Sequence, residues 1–172
     1  MNKTFDPRTL AVIVAFLVTI LFDIVVAWAL YALYEAHPLS GLSALFRVTH
    51  AVIMGVAVAA LPMALASVTG EEVLKHVEIF NTIWLVGLFF FGVHLILLGN
   101  IIKRPKWIAL FLVIAGVMYM VDTAAHFTLP HYETYGSVFL ALVAVPSIVG
   151  EMSFSVWLLL KGGKESVPDA VR

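Results

Sequence analysis

Seven ionisable side chains lie inside stretches that are otherwise apolar enough to cross a membrane: Asp23, Arg47, His50, His94, Asp122, His126 and Glu151. A charge in hydrocarbon costs at least roughly 2.5–3.5 kcal/mol, so such residues pair, face a bundle interior or serve a function. Arg47 and His50 are three apart and share one helical face. A guanidinium stays ionised at that depth and needs a carboxylate. Asp23 and Glu151 are the two available. Three chemistries suit this set. One is a structural ion pair, Arg47 with Asp23 or Glu151, with the histidines bonded to backbone or hydroxyls. A second is a ligand site. His50, His94 and Glu151 have the donor types for a first-row transition metal, and the two histidines could also be axial ligands of a haem. The third is a proton path through histidine and carboxylate.

The elements that position these residues are helices. The chain is 62% hydrophobic and 12% charged, with mean hydropathy +1.04. About 25% charged residues would be usual in a soluble domain. The fold class expected is therefore all-α, an integral membrane helical bundle forming a single domain over residues 1–172. Five transmembrane helices are expected, near 10–34, 42–68, 78–102, 107–128 and 135–160. Their connections are short and polar, which makes successive helices antiparallel neighbours. The longer second connection holds Thr69-Gly70-Glu71-Glu72, a capping-box pattern. The helix it starts is expected to run straight into the third span. No cleavable signal peptide, repeat or low-complexity tract is evident. The absence of cysteine excludes disulfides and thiolate metal sites.

A rise of about 1.5 Å per residue converts position into depth. Lys103, Arg104, Lys106, Lys161, Lys164 and Arg172 fall on one side, and Lys3, Arg8 and Lys75 on the other. The richer side is expected to be cytoplasmic, with the N-terminus outside, in the inner membrane of a prokaryote. From that side Arg47, His50, His94, Glu151 and Asp23 lie at roughly 7, 12, 12, 13 and 16 Å, a single layer. Asp122 and His126, at roughly 23 and 29 Å, form a separate outer pair. Their i, i+4 spacing suits a carboxylate–histidine hydrogen bond.

Pro146 and Pro62 each remove a helix hydrogen bond, and a kink is expected at both. Gly55, Ala57, Ala59 and Ala60, with Gly87 and Gly92, are expected to let helices approach closely. A homodimer could bury the same faces. Trp28, Trp84, Trp107, Tyr119, Tyr132, Tyr135 and Trp157 fit interfacial anchoring. The partners implied are the lipid bilayer and either a second copy or another membrane subunit. A net charge of −1 argues against nucleic acid. No Ser-His-Asp arrangement, phosphate loop or HExxH motif is present, so an enzyme is the minority reading. The functional expectation is a His/carboxylate/Arg layer that binds a metal or haem. A proton-coupled carrier or channel, and a structural or regulatory subunit, are the alternatives.

Three strings carry a resemblance. They are Phe89-Phe90-Phe91-Gly92-Val93-His94-Leu95, Gly116-Val117-Met118-Tyr119-Met120-Val121-Asp122, and Gly150-Glu151-Met152-Ser153-Phe154 followed by Trp157-Leu158-Leu159. With Asp23 and Leu45-Phe46-Arg47, they resemble the bacterial and archaeal membrane family catalogued as domain of unknown function 4386. The resemblance implies a small polytopic helical protein and no defined activity. It marks His94, Asp122, His126 and Glu151 as family positions. Typical members carry one further span before residues 10–34, which would place both termini on one side. They also tend to carry a histidine where this chain has Phe80.

Overall fold

The computed structural model describes residues 7–161, all helices and short connections. Lys3, Lys164 and Arg172, and the side chain of Arg8, lie outside the described residues, so four cations of the orientation count have no structural counterpart here. Helix α1 spans Pro7–Leu33, α2 Ser40–Val58, α3 Ala60–Ala66, α4 Gly70–Ile101, α5 Lys106–Thr128, α6 Tyr132–Ser147 and α7 Ser153–Lys161. A π-helical turn, Ile148–Met152, joins α6 to α7. Taking α2 with α3, and α6 with α7, five helices are long and apolar enough to cross a membrane.

Neighbours in sequence are neighbours in space. Helix α1 packs on α2, α2 on α4, α4 on α5 and α5 on α6. Helices α4 and α5 are thus central, with α1 and α6–α7 on the flanks. The α1 span is the least covered, with 6% of its most apolar window buried against 39% for α4.

The sequence explains the ends and the breaks. At the start of α4, the Glu72 N–H donates to the Thr69 hydroxyl at 3.3 Å. The Glu72 carboxylate accepts from the Val68 and Thr69 N–H groups at 3.1 and 3.4 Å. The capping box forms as its spacing predicts. Helix α4 has 32 residues. At the helical rise it is about 48 Å long, against a hydrocarbon layer of roughly 30 Å. Its charged first turns, Glu71 to Glu78, extend past the apolar part. The break of the second span falls at Ala59, three residues before Pro62. The proline ring excludes the carbonyl of Val58, one helical turn back. The Ala59 N–H turns instead to the Val56 carbonyl at 3.2 Å.

Pro146 acts differently. Helix α6 runs through it, and the misfit is taken up just beyond, where the backbone widens into the π turn. Gly150 lets that turn rest on α5. A Cβ there would stand 3.0 Å from the Leu112 nitrogen and the Phe111 carbonyl carbon. Between α4 and α5 the contact is equally close. A Cβ on Gly92 would meet the Gly116 carbonyl oxygen at 2.6 Å, and one on Gly99 the Ala109 oxygen at 2.7 Å. Without a strong hydrophobic drive in lipid, such close packing is what holds helices together. Gly55 has open space beside it and is not a close-approach position.

Candidate functional site

Arg47 on α2 gathers three helices. Its Nη2 donates to Asp23 Oδ1 of α1 at 2.5 Å. Its Nη1 lies 3.1 Å from Nε2 of His94 on α4. The guanidinium also sits 5.4 Å from the Phe91 ring centre, within cation–π range. Asp23 is therefore the partner of Arg47, and Glu151 is not bonded to it.

The roles at His94 follow from the inventory of donors. A guanidinium only donates, so Nε2 must accept. The proton then sits on Nδ1, which faces the Ser43 carbonyl oxygen at 3.0 Å and the Ser43 hydroxyl at 2.9 Å. His94 is 1% exposed, a neutral ring with both nitrogens occupied. At His50, Nδ1 donates to the Gly87 carbonyl at 2.9 Å. The glycine makes room, since a Cβ there would stand 3.3 Å from that nitrogen. The opposite atom, Nε2, faces Asp23 Oδ2 at 3.6 Å. Phe91 packs against both imidazoles, with ring centres 4.9 and 5.8 Å away.

This geometry does not support the metal expectation. The Nε2 lone pair of His94 is taken by a guanidinium, whose charge opposes a cation at the same place. Glu151 lies on a different helix and bonds to neither histidine. Among the described residues no group of three or more His, Asp or Glu side chains is placed to hold a metal ion. The set His50, His94 and Glu151 is not assembled as a ligand set.

Glu151 stands on the π turn, with the Ser147 and Tyr119 hydroxyls beside its carboxylate as hydrogen-bonding neighbours and Arg47 and Asp23 within electrostatic reach. Its Oε1 is buried and closes no hydrogen bond of regular geometry, and the same holds for Ser147 Oγ and Arg47 Nε. The π turn changes which way residue 151 faces relative to a regular helix, and such turns occur often at functional sites. Tyr119, expected as an interfacial anchor, instead packs edge-on against Phe91 at 5.6 Å beside this site.

The outer pair also differs from expectation. Asp122 accepts a 2.5 Å hydrogen bond from the Tyr132 hydroxyl rather than from His126. His126 packs edge-on to the Tyr132 ring at 4.7 Å. His131, in the left-handed region at φ 57°, turns the chain so that Tyr132 can reach back. The pair is a tie between α5 and the start of α6, closed by a phenol.

Ser43 and Tyr132 are partners that side-chain charge alone does not reveal. Ser40, Ser43, Arg47 and His50 recur at spacings of three, four and three along one face of α2, which was the available signal for Ser43. Both serines are 3% exposed.

A five-span α-helical bundle with a charged interior layer defines the class: a polytopic helical membrane protein. The particular family is shown by sequence. The pattern described as domain of unknown function 4386 matches residues 4–162, and the chain belongs to that family. An Archaeoglobus fulgidus protein, described only as uncharacterized, is 30% identical over 166 residues, covering 93% of this chain and 88% of its own length. No solved structure matches the chain.

Proposed function

We propose that the protein is a carrier in the cytoplasmic membrane of a prokaryote, coupling movement of a small solute to proton exchange at Glu151. The observation that carries this is that Glu151 Oε1 and Arg47 Nε are both buried and neither closes a hydrogen bond of regular geometry, with only neutral hydroxyls, Ser147 and Tyr119, as hydrogen-bonding neighbours of the carboxylate. An unmade hydrogen bond on a buried group costs roughly 1–3 kcal/mol, more when the group is charged. Such a cost persists where a ligand or a proton settles it for part of a cycle. His50 adds a second proton acceptor, with Nε2 directed at Asp23. Its protonation would draw Asp23 away from Arg47 and leave the guanidinium to Glu151 or to an anionic solute. Of the described cations outside the spans' apolar parts, Lys103, Arg104, Lys106 and Lys161 lie at one end and Lys75 at the other. That asymmetry supports a cytoplasmic C-terminus and an external N-terminus.

The test is pH-dye fluorescence in proteoliposomes, under a potassium diffusion potential and then with a panel of small carboxylates, amines and sugars. Wild type should give a proton signal with a member of the panel, and Glu151→Gln should abolish it. No signal from wild type under any condition overturns the proposal.

A structural or regulatory subunit is the second reading, favoured by the directly bonded Asp23–Arg47–His94 chain, which needs no function beyond joining three helices. It expects a silent transport assay and a membrane partner that co-purifies at fixed ratio.

A further inference from the structure

At the basic end of the bundle, the α4–α5 connection, the first turn of α5 and helix α7 enclose an open groove of about 630 Å³. Its rim carries Arg104 and Lys161, and its walls include Trp107, Trp157, Val156 and Leu160. Among the described residues that line it, none is a carboxylate. We infer that this groove is a binding site for an anionic phospholipid. Its phosphate would sit between Arg104 and Lys161, and an acyl chain would lie along Val156 and Leu160.

Charge complementarity singles out this occupant. Two cations stand on separate elements at one mouth, and Lys103 and Lys106 flank Arg104 in sequence. Basic pockets between membrane helices hold anionic headgroups in this way. The depth profile matches a lipid rather than a free ion. Trp107, 51% exposed, marks the headgroup level where indole rings settle. Beside it, Leu160 at 68% exposed and, further along α7 from Lys161, Val156 at 51% form an apolar wall. A soluble anion would have no use for that wall, and a zwitterionic lipid would bring its own cation to a cationic rim. The volume lies within the ordinary range of small-molecule sites, roughly 300–1,000 Å³. The inference rests on the membrane location of the bundle and is independent of proton coupling at Glu151.

The test is native mass spectrometry of the full chain purified in detergent. It would be titrated separately with phosphatidylglycerol, phosphatidylcholine and glycerol phosphate. Phosphatidylglycerol should bind more tightly than phosphatidylcholine, and glycerol phosphate should not compete. Each surface cation contributes roughly fivefold to anionic-lipid affinity, so the double variant Arg104→Gln/Lys161→Gln should lose roughly 30-fold. The charge-conserving variant Arg104→Lys/Lys161→Arg should keep most of the binding, and Lys75→Gln, at the other end, should keep all of it. Equal binding of the two lipids, an unaffected double variant, or full competition by glycerol phosphate would each overturn the inference.

Discussion

Arg47 lies near two carboxylates and treats them differently. Asp23 receives a direct 2.5 Å hydrogen bond, while Glu151 feels the same guanidinium through space, with only the Ser147 and Tyr119 hydroxyls beside it and no regular hydrogen bond closed at Oε1. The backbone beneath them differs in the same sense. Asp23, Arg47 and His94 rise from unbroken α-helical segments, so each side chain is held at a fixed angle toward the others. Glu151 rises from a π turn just past the end of a proline-bearing helix. The first region is a clamp whose members bond directly to one another, with the Nε edge of Arg47 left open. The second is a buried charge placed by an irregular backbone and left with unused bonding capacity. Buried charge that is fully bonded specifies packing, whereas buried charge that is not marks a place where binding or protonation can change the energy.

The sharpest way to break this contrast is to cut the clamp. Asp23→Asn should destabilise the protein by about 3–5 kcal/mol, because Arg47 is left as an uncompensated charge. Removing both partners, as Asp23→Leu with Arg47→Met, should restore most of the loss, since the desolvation cost disappears with the attraction. Denaturation in mixed micelles, followed by helix signal, measures both. A double variant no better than Asp23→Asn would mean that Arg47 has a second essential partner, and Glu151 would be the one to examine.

A smaller effect is expected one step along the chain. His94→Ala leaves Arg47 Nη1 without its acceptor and the Ser43 carbonyl without its donor. The cost should be roughly 1–3 kcal/mol. Metal content of the purified protein should be unchanged by the substitution, because His94 lends no free lone pair. Stoichiometric metal lost on His94→Ala would contradict the hydrogen-bond assignment at Nε2. It would return the histidines to the role their residue types first suggested.

The difference between the two regions also shows where sequence is informative. Hydropathy and length locate the spans, because a continuous apolar run of roughly 20 residues has few other uses. The Thr69–Glu72 capping box is local chemistry and is readable within one helical turn. Depth along straight helices brings Asp23, Arg47, His50 and His94 to one level, where the structure finds them in contact. Rotation about the helix axes is harder to read. Nothing in the spacing of Asp122 and His126 indicates that Tyr132, across a turn, would claim the carboxylate. Nor does Pro146 by itself indicate a π turn rather than a break. Pro62, the same residue type, gives a break at Ala59. The outcome depends on what packs alongside. At 146–150 the backbone of α5 lies against Gly150 and supports the widened turn.

The smallest stability change should come from the residue with the largest proposed role. Glu151→Gln keeps the volume and one carbonyl acceptor, and it adds an amide donor that the Ser147 or Tyr119 hydroxyl can accept. It removes a buried charge that had no direct cationic partner, so the lost attraction to Arg47 is offset by the lost desolvation cost. The net change should stay within about 1 kcal/mol. Asp23→Asn, chemically the same edit on the other carboxylate, should cost several times more. Running the two variants side by side in one denaturation series tests the contrast directly. If Glu151→Gln destabilises as much as Asp23→Asn, then Glu151 is a second arm of the clamp, and the geometry at its Oε1 carries no functional meaning. If it leaves stability unchanged while removing proton movement, then the two carboxylates have separate tasks: one holds the bundle and the other works inside it.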